Sequence, residues 1–265
     1  MLMNTSKLKG LAILASDGEI GTVDDVYFDD VTWAVRYLTV ETGGWMEGRK
    51  VLISPFSIVH TDWQAQQIQV VLTKKQVENA PDIDTQRPVS RQQEARYLGY
   101  YGYPYYWEGP YLWGSAYYPA GLAIPRSAAE IAELEKMRHE SSDTHLRSAA
   151  AVTGYHLEAK DGEIGHVCDF VLDDQAWSLR YLEVATQNWW PGKKVLVSPA
   201  WVEKVSWSHS KVHVALTRHA VQECPEYDES LPIDRDYENK LFFHYGQPPY
   251  WLNEAEPKAA VAYAR

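Results

Sequence analysis

The chain carries one 98-residue stretch twice: residues 10–107 and 154–251 align without a gap at a constant offset of 144. Asp17-Gly18-Glu19-Ile20-Gly21 returns as Asp161-Gly162-Glu163-Ile164-Gly165. Arg36-Tyr37-Leu38 returns as Arg180-Tyr181-Leu182, and Lys50-Val51-Leu52 with Ser54-Pro55 returns as Lys194-Val195-Leu196 with Ser198-Pro199. Roughly 40% of the paired positions are identical, and self-similarity on that scale means two copies of one structural unit. A residue kept in both copies serves the unit; one found in a single copy is specific to it or incidental.

Both copies predict the same run of short strands. The first covers 10–15 and 154–159, and the Asp-Gly dipeptide that follows is a tight-turn signal, because glycine takes positive φ without a Cβ clash. The second covers 20–28 and 164–172 and ends at the turn-favouring pairs Asp29-Asp30 and Asp173-Asp174. The third covers 33–41 and 177–185. A loop with Trp45 in one copy and Trp189-Trp190 in the other leads to a fourth, 50–54 and 194–198, stopped by Pro55 and Pro199. A fifth covers 56–61 and 200–206. The last alternates, with Ile68, Val70 and Leu72, and Val212, Val214 and Leu216, on one face. Thr73 and Thr217 are placed to cap a short helix ending before Pro81 and Pro225.

Six short strands in about 70 residues predict a mainly β fold, a small barrel or strongly coiled sheet in each copy. The third strand is apolar on both faces, so each barrel leans on another element. The tail of the unit is the natural one. Ser90 and Asp234 cap a helix, and an aromatic arm follows, Tyr97 to Trp107 and Leu241 to Trp251. The arm is read either as a strap over its own barrel or as an exposed contact surface. The organisation is therefore 1–107, a first unit with its arm; 108–153, a linker with a short helix capped by Ser127 and carrying Ile131, Leu134 and Met137 at helical spacing; and 154–265, a second unit with its arm and a tail. Residues 141–151 read as a loose link.

Eleven Trp and 18 Tyr stand against 5 Phe, which leans toward half-buried positions and interfaces. The formal net charge is −11, and no cluster of Lys and Arg exceeds a pair, so nucleic acid and an anionic membrane surface are disfavoured as direct partners. The first residues show no signal peptide, no run approaches a membrane span, and the two cysteines have no counterpart in the first copy. These points predict a soluble, cytoplasmic protein.

No catalytic constellation emerges. Asp17, Glu19, Asp161 and Glu163 flank a glycine turn, where acidic residues are common for conformational reasons. Asp29-Asp30 and Asp173-Asp174 lack a surrounding loop of alternating oxygen ligands. His209 and His213 would lie ~13 Å apart along a strand, too far to share one zinc. There is no Cys pair at metal or redox spacing and no phosphate-binding glycine loop. The expectation is no enzyme, no cofactor and no metal.

The opening Gly10 and Gly154, the DGEIG turns at 17–21 and 161–165, the acidic turn before Trp33 or Trp177, the RYL strands and the KVLxSP strand ends together resemble the PRC-barrel domain. That barrel is found in the cytoplasmic part of the photosynthetic reaction centre H subunit and in the ribosome-maturation factor family. The barrel itself covers about 7–84 and 151–228, and two such barrels with aromatic arms look like tandem PRC-barrel proteins, a resemblance that covers nearly the whole chain. It implies an adaptor or docking module without catalytic residues. The first expectation is thus a protein-interaction module of unknown process, with Trp45, Trp189, Trp190, Tyr103, Tyr106, Trp107, Tyr250 and Trp251 as candidate partner contacts, acting on a protein partner, as a homo-oligomer or as an internal pseudo-dimer. One alternative is an accessory subunit beside a membrane redox or reaction-centre-like complex. Another is a small-molecule-binding or enzymatic protein with a pocket between the barrels.

Overall fold

The computed structural model describes residues 1–46, 48–81, 89–119, 145–186, 193–252 and 254. The first copy contains β1 (Leu2–Asn4), β2 (Ala12–Ala15), β3 (Gly18–Asp29), β4 (Val35–Thr42), β5 (Lys50–Ile53), β6 (Ile58–Asp62), β7 (Gln67–Val70), α1 (Lys74–Glu78) and α2 (Arg91–Tyr101). The second contains β8 (Leu146–Ser148), α3 (Ala149–Val152), β9 (His156–Ala159), β10 (Gly162–Asp173), β11 (Ser178–Thr186), β12 (Lys194–Val197), β13 (Val202–Ser206), β14 (Lys211–Val214), α4 (Arg218–Gln222) and α5 (Arg235–Tyr245). The helix expected around 127–140 falls outside the described residues.

The strands form two seven-stranded sheets of the same order, β5-β4-β3-β2-β7-β6 and β12-β11-β10-β9-β14-β13. The fold is mainly β, with two barrel-like sheets. No pairing joins β5 to β6, or β12 to β13, among the described residues, so each barrel stays open along that seam. The capping expectations hold: Thr73 and Ser90 form capping boxes at α1 and α2, and Thr217 and Asp234 cap α4 and α5. Gly18 and Gly162 take positive φ at the hairpin turns. Asp17 and Asp161 accept from the backbone N–H of Lys74 and Arg218, so these turn carboxylates also tie the hairpin to the first turn of α1 and α4.

The seventh strand of each sheet comes from the other copy. β1 pairs antiparallel with β10 (Met3 opposite Leu172), and β8 pairs antiparallel with β3 (Arg147 opposite Phe28). The edge of β3 turned away from β4 is shared, β2 taking its first half and β8 its last three residues. Residues 146–152, expected as a loose link, are thus a strand and a short helix. Three residues are too few to show a period of two, and their partner lies over a hundred residues away, so local pattern could not reveal them.

The junction obeys the internal symmetry. Asp25 accepts from Ser148 Oγ and from Ala150 N–H at 3.2 Å, while Asp169 accepts from Thr5 Oγ1 at 2.7 Å and Ser6 N–H at 3.3 Å. Trp33 and Trp177 sit at φ of 59° and 50°, a region costing a bulky residue about 1–3 kcal/mol. The carbonyl of each accepts from the other copy, Leu179 N–H to Trp33 at 2.8 Å and Val35 N–H to Trp177 at 2.7 Å. The strained conformation therefore carries two of the backbone hydrogen bonds that join the copies. Phe28 stacks on Trp33 at 5.2 Å and meets Phe170 of the second copy at 5.7 Å, making one continuous apolar core across the junction.

Both faces of β4 are buried, as its sequence demanded. The covering element on one of them is α2. Tyr97 packs edge-on against Tyr37 at 5.2 Å, and its hydroxyl donates to the Leu52 carbonyl and accepts from Ser54 N–H. Phe242 of α5 meets Trp201 at 5.4 Å in the second copy.

Candidate functional site

Under each arm lies a buried polar cluster built from residues at matching positions. In the first copy, β4 supplies Arg36 and Tyr37, α2 supplies Arg91 and Glu94, and the arm supplies Tyr106 and Trp107. Arg91 and Glu94 are three apart on the helix and so share a face. Glu94 is fully buried. It accepts from Tyr37 Oη at 3.1 Å and Tyr106 Oη at 2.5 Å, and pairs with Arg91 at 3.5 Å. Arg36 stacks over the Tyr106 ring at 3.7 Å, and Arg91 over Trp107 at 4.4 Å. The second copy repeats this: Glu238 accepts from Tyr181 Oη at 2.7 Å and Tyr250 Oη at 2.9 Å and pairs with Arg235 at 3.1 Å. Arg180 lies over Tyr250 at 4.1 Å and Arg235 over Trp251 at 3.9 Å.

The copies differ in what completes the arginine. Arg180 donates to Asp173 at 2.8 Å and, through two nitrogens, to both oxygens of Glu254 at 2.6 and 2.9 Å. Arg36 donates to the Leu112 carbonyl at 2.7 Å and to Thr32 Oγ1 at 3.1 Å, while Asp29 stands 3.9 Å away and Arg36 Nε has no partner among the described residues. The titration of the two guanidiniums follows. Burial pulls Arg36 below its ordinary value, with the nearby Tyr and acidic groups offsetting only part of it. Burial also opposes the charge of Arg180, but Glu254 and Asp173 more than offset it and the value rises.

His145 belongs to the first cluster alone. Its Nε2 stands 2.9 Å from Glu94 and 3.0 Å from Tyr106 Oη, and its counterpart by the offset is Met1. A cavity of about 530 Å³ borders this cluster, lined by Asp29, Arg36, Arg91, Tyr106, His145 and Arg147 among others. A second cavity, of about 610 Å³, opens beside Arg180 and Tyr250 and is walled by both copies, from Thr32 and Trp33 to Lys204 and Trp207.

The expected contact residues have scattered fates. Tyr103 and Tyr106 are buried in the arm's packing against its own barrel. Trp107, Tyr250 and Trp251 are half-buried, each with a ring face against an arginine. Trp45 is half-buried, its indole N–H donating to the Ile20 carbonyl at 2.7 Å and its ring lying under Lys74. Trp189 and Trp190 lie outside the described residues. The arginine–glutamate pairs were missed by sequence reasoning. Arg91, Glu94 and Tyr106 recur unchanged as Arg235, Glu238 and Tyr250 within a tail where most neighbours differ, and that was the available signal.

Among the described residues no group of three His, Cys, Asp or Glu side chains is arranged to hold a metal ion. No described helix is long and apolar enough to cross a membrane. Cys168 and Cys224 are free thiols, and burial together with Glu183 pushes Cys168 up to about 12, far from a reactive thiolate.

The strand order, the DGEIG turn and the Trp-bearing turn of the first copy are now all accounted for in three dimensions. Residues 2–75 match the PRC-barrel domain. The matched segment runs from β1, the strand given to the other sheet, to the start of α1, so it holds the PRC-barrel unit's own six strands and the exchanged one. The arm and its arginine cluster lie beyond it. No curated protein matches the chain.

Proposed function

We propose that the chain is a non-enzymatic protein-interaction module made of two PRC-barrel units fused into one body and working in the cytoplasm. The observation that carries this reading is the reciprocal strand exchange. It holds two copies of a docking fold in one fixed relation, as a scaffold requires and as a single-site enzyme does not. The acidic residues common to both copies support it, since Asp17, Asp25, Asp29, Glu94 and their counterparts are engaged in turns, caps, the junction or the arginine clusters. Capture of tagged chain from a native lysate with solubilised membranes, at low and high salt, is the test. A stoichiometric protein that survives high salt is expected, and a redox-complex subunit among the catch would favour the membrane-complex alternative. A partnerless chain at both salts, still folded by its thermal melt, would overturn the reading.

A second reading, a small-molecule site, draws on the 530 Å³ cavity beside Arg36 and His145. Thermal-shift screening of metabolites separates it from the first, because a ligand would raise Tm without any protein present.

A further inference from the structure

Glu254 is an addition to the unit. Its counterpart by the offset is Pro110, and Arg36 keeps its place over Tyr106 with a backbone carbonyl and a hydroxyl, without a carboxylate in hydrogen-bond range. The repeated scaffold therefore does not need the Glu254 contact to hold its arginine. Yet at Arg180 that contact is a two-pronged pair, the strongest and most shape-selective way for an arginine to hold an anion. The arginine is 8% exposed and the carboxylate 24%, so the pair is shielded on the protein side and reachable on the other. The preceding Leu252 is 70% exposed, so that part of the tail is not held by burial. Beside the pair opens the 610 Å³ cavity, whose wall offers Pro199, Val205 and Trp207 together with Lys204.

We propose that Arg180 is a carboxylate receptor, filled at rest by Glu254, and that an acidic side chain of a partner's peptide segment replaces Glu254 there while its neighbours enter the adjoining cavity. A peptide is favoured over a free small acid because the present occupant is itself a peptide segment and because the cavity supplies apolar wall for flanking side chains. The inference rests on the interaction-module reading and gives it a recognition chemistry.

The test uses the full chain and the Glu254→Gln variant, titrated with a dye-labelled, end-blocked peptide Leu-Asn-Glu-Ala-Glu and its Gln-for-Glu counterpart, read by fluorescence anisotropy. A tethered occupant competes at an effective concentration of about millimolar, so removing its charge should tighten peptide binding about tenfold or more. The Gln peptide should not bind, and succinate should compete only weakly. Arg180→Lys in the Glu254→Gln background should abolish the gain, because a lysine cannot make the two-pronged pair. Equal binding of the two peptides, or no gain on Glu254→Gln, overturns the proposal. The peptide comparison uses one protein preparation, and neither comparison depends on Arg180→Lys folding. Succinate binding as tightly as the Glu peptide would overturn the peptide assignment. A lysate partner captured equally by wild type and Arg180→Lys would remove this site and leave the interaction module standing, whereas peptide binding without any lysate partner would do the reverse.

Discussion

Ala34 and Ser178 hold the same position in the two copies and bridge each other antiparallel across the junction. The pseudo-two-fold axis therefore passes between them. Several cross-copy contacts come in matched pairs: Asp30 N–H to the His145 carbonyl answers Asp174 N–H to the Met1 carbonyl, and the carboxylate of Asp25 answers that of Asp169.

Asp25→Ala removes the acceptor for Ser148 and Ala150, and Asp169→Ala the acceptor for Thr5 and Ser6. Each change should cost about 1–3 kcal/mol, since it leaves donors unpaired at a partly buried seam. Urea unfolding measures this. An unchanged midpoint in either variant would show that the exchanged strands are held by their backbone ladder alone.

Gly21 and Gly165 face their neighbouring strand so closely that an added Cβ would sit 2.1 Å from the Glu41 carbonyl oxygen and 2.0 Å from that of Ala185. Backbone there cannot step aside without parting β3 from β4 or β10 from β11. Alanine at either site should destabilise by more than about 3 kcal/mol, at the far end of single-residue effects. Gly10 and Gly154 have open space but positive φ, so alanine there should cost only about 1–2 kcal/mol. A thermal-melt series over the four variants should show the two groups separated, and overlap between them would contradict the packing described.

Tyr37→Phe and Tyr181→Phe each delete one hydroxyl donating to a buried glutamate. A loss of about 1.5–3 kcal/mol is expected for each, the range for hydrogen bonds to charged groups. Denaturant titration would show the two losses to be similar if the clusters are equivalent supports of the arms.

His145 gives the first cluster a titrating imidazole that has no counterpart in the second. Burial opposes its charge, but the hydrogen bond and negative charge of Glu94 more than offset this and its pKa is raised. A group bound more tightly to its proton in the folded state contributes its full stability below the unfolded value of about 6.5, and loses it as pH rises through the higher folded value. Stability measured by urea titration should therefore fall from about pH 6.5 upward, and His145→Gln should flatten that decline. The same slope in the variant would assign the effect to another group.

Much of this was legible because it is local. The Asp-Gly turns, the proline strand stops, the threonine and serine caps and the alternation around Ile68–Leu72 each depend on a few adjacent residues. The two-sided burial of β4 was readable from Val35 to Val40 and correctly called for a covering element. Leu2–Asn4 and Leu146–Ser148 were not readable, because what makes them strands is an edge of β3 or β10 far away in the chain. The buried clusters escaped for a related reason. Arg36, Glu94 and Tyr106 are ordinary surface-type residues until a helix and an arm fold back over the sheet, and only their recurrence at the offset of 144 hints at a shared task.

The strand exchange also sets a timetable for synthesis. When β7, the last strand that the first copy itself gives to its sheet, has left the ribosome, the last three residues of one edge of β3 are still bare, because their partner, Leu146–Ser148, has yet to be translated. The second sheet, by contrast, emerges with Leu2–Asn4 already waiting in the solvent. The early half must spend that interval with an open sheet edge, the state most prone to pairing with a stranger. In a crowded cell the nearest stranger is the same half of a neighbouring nascent chain.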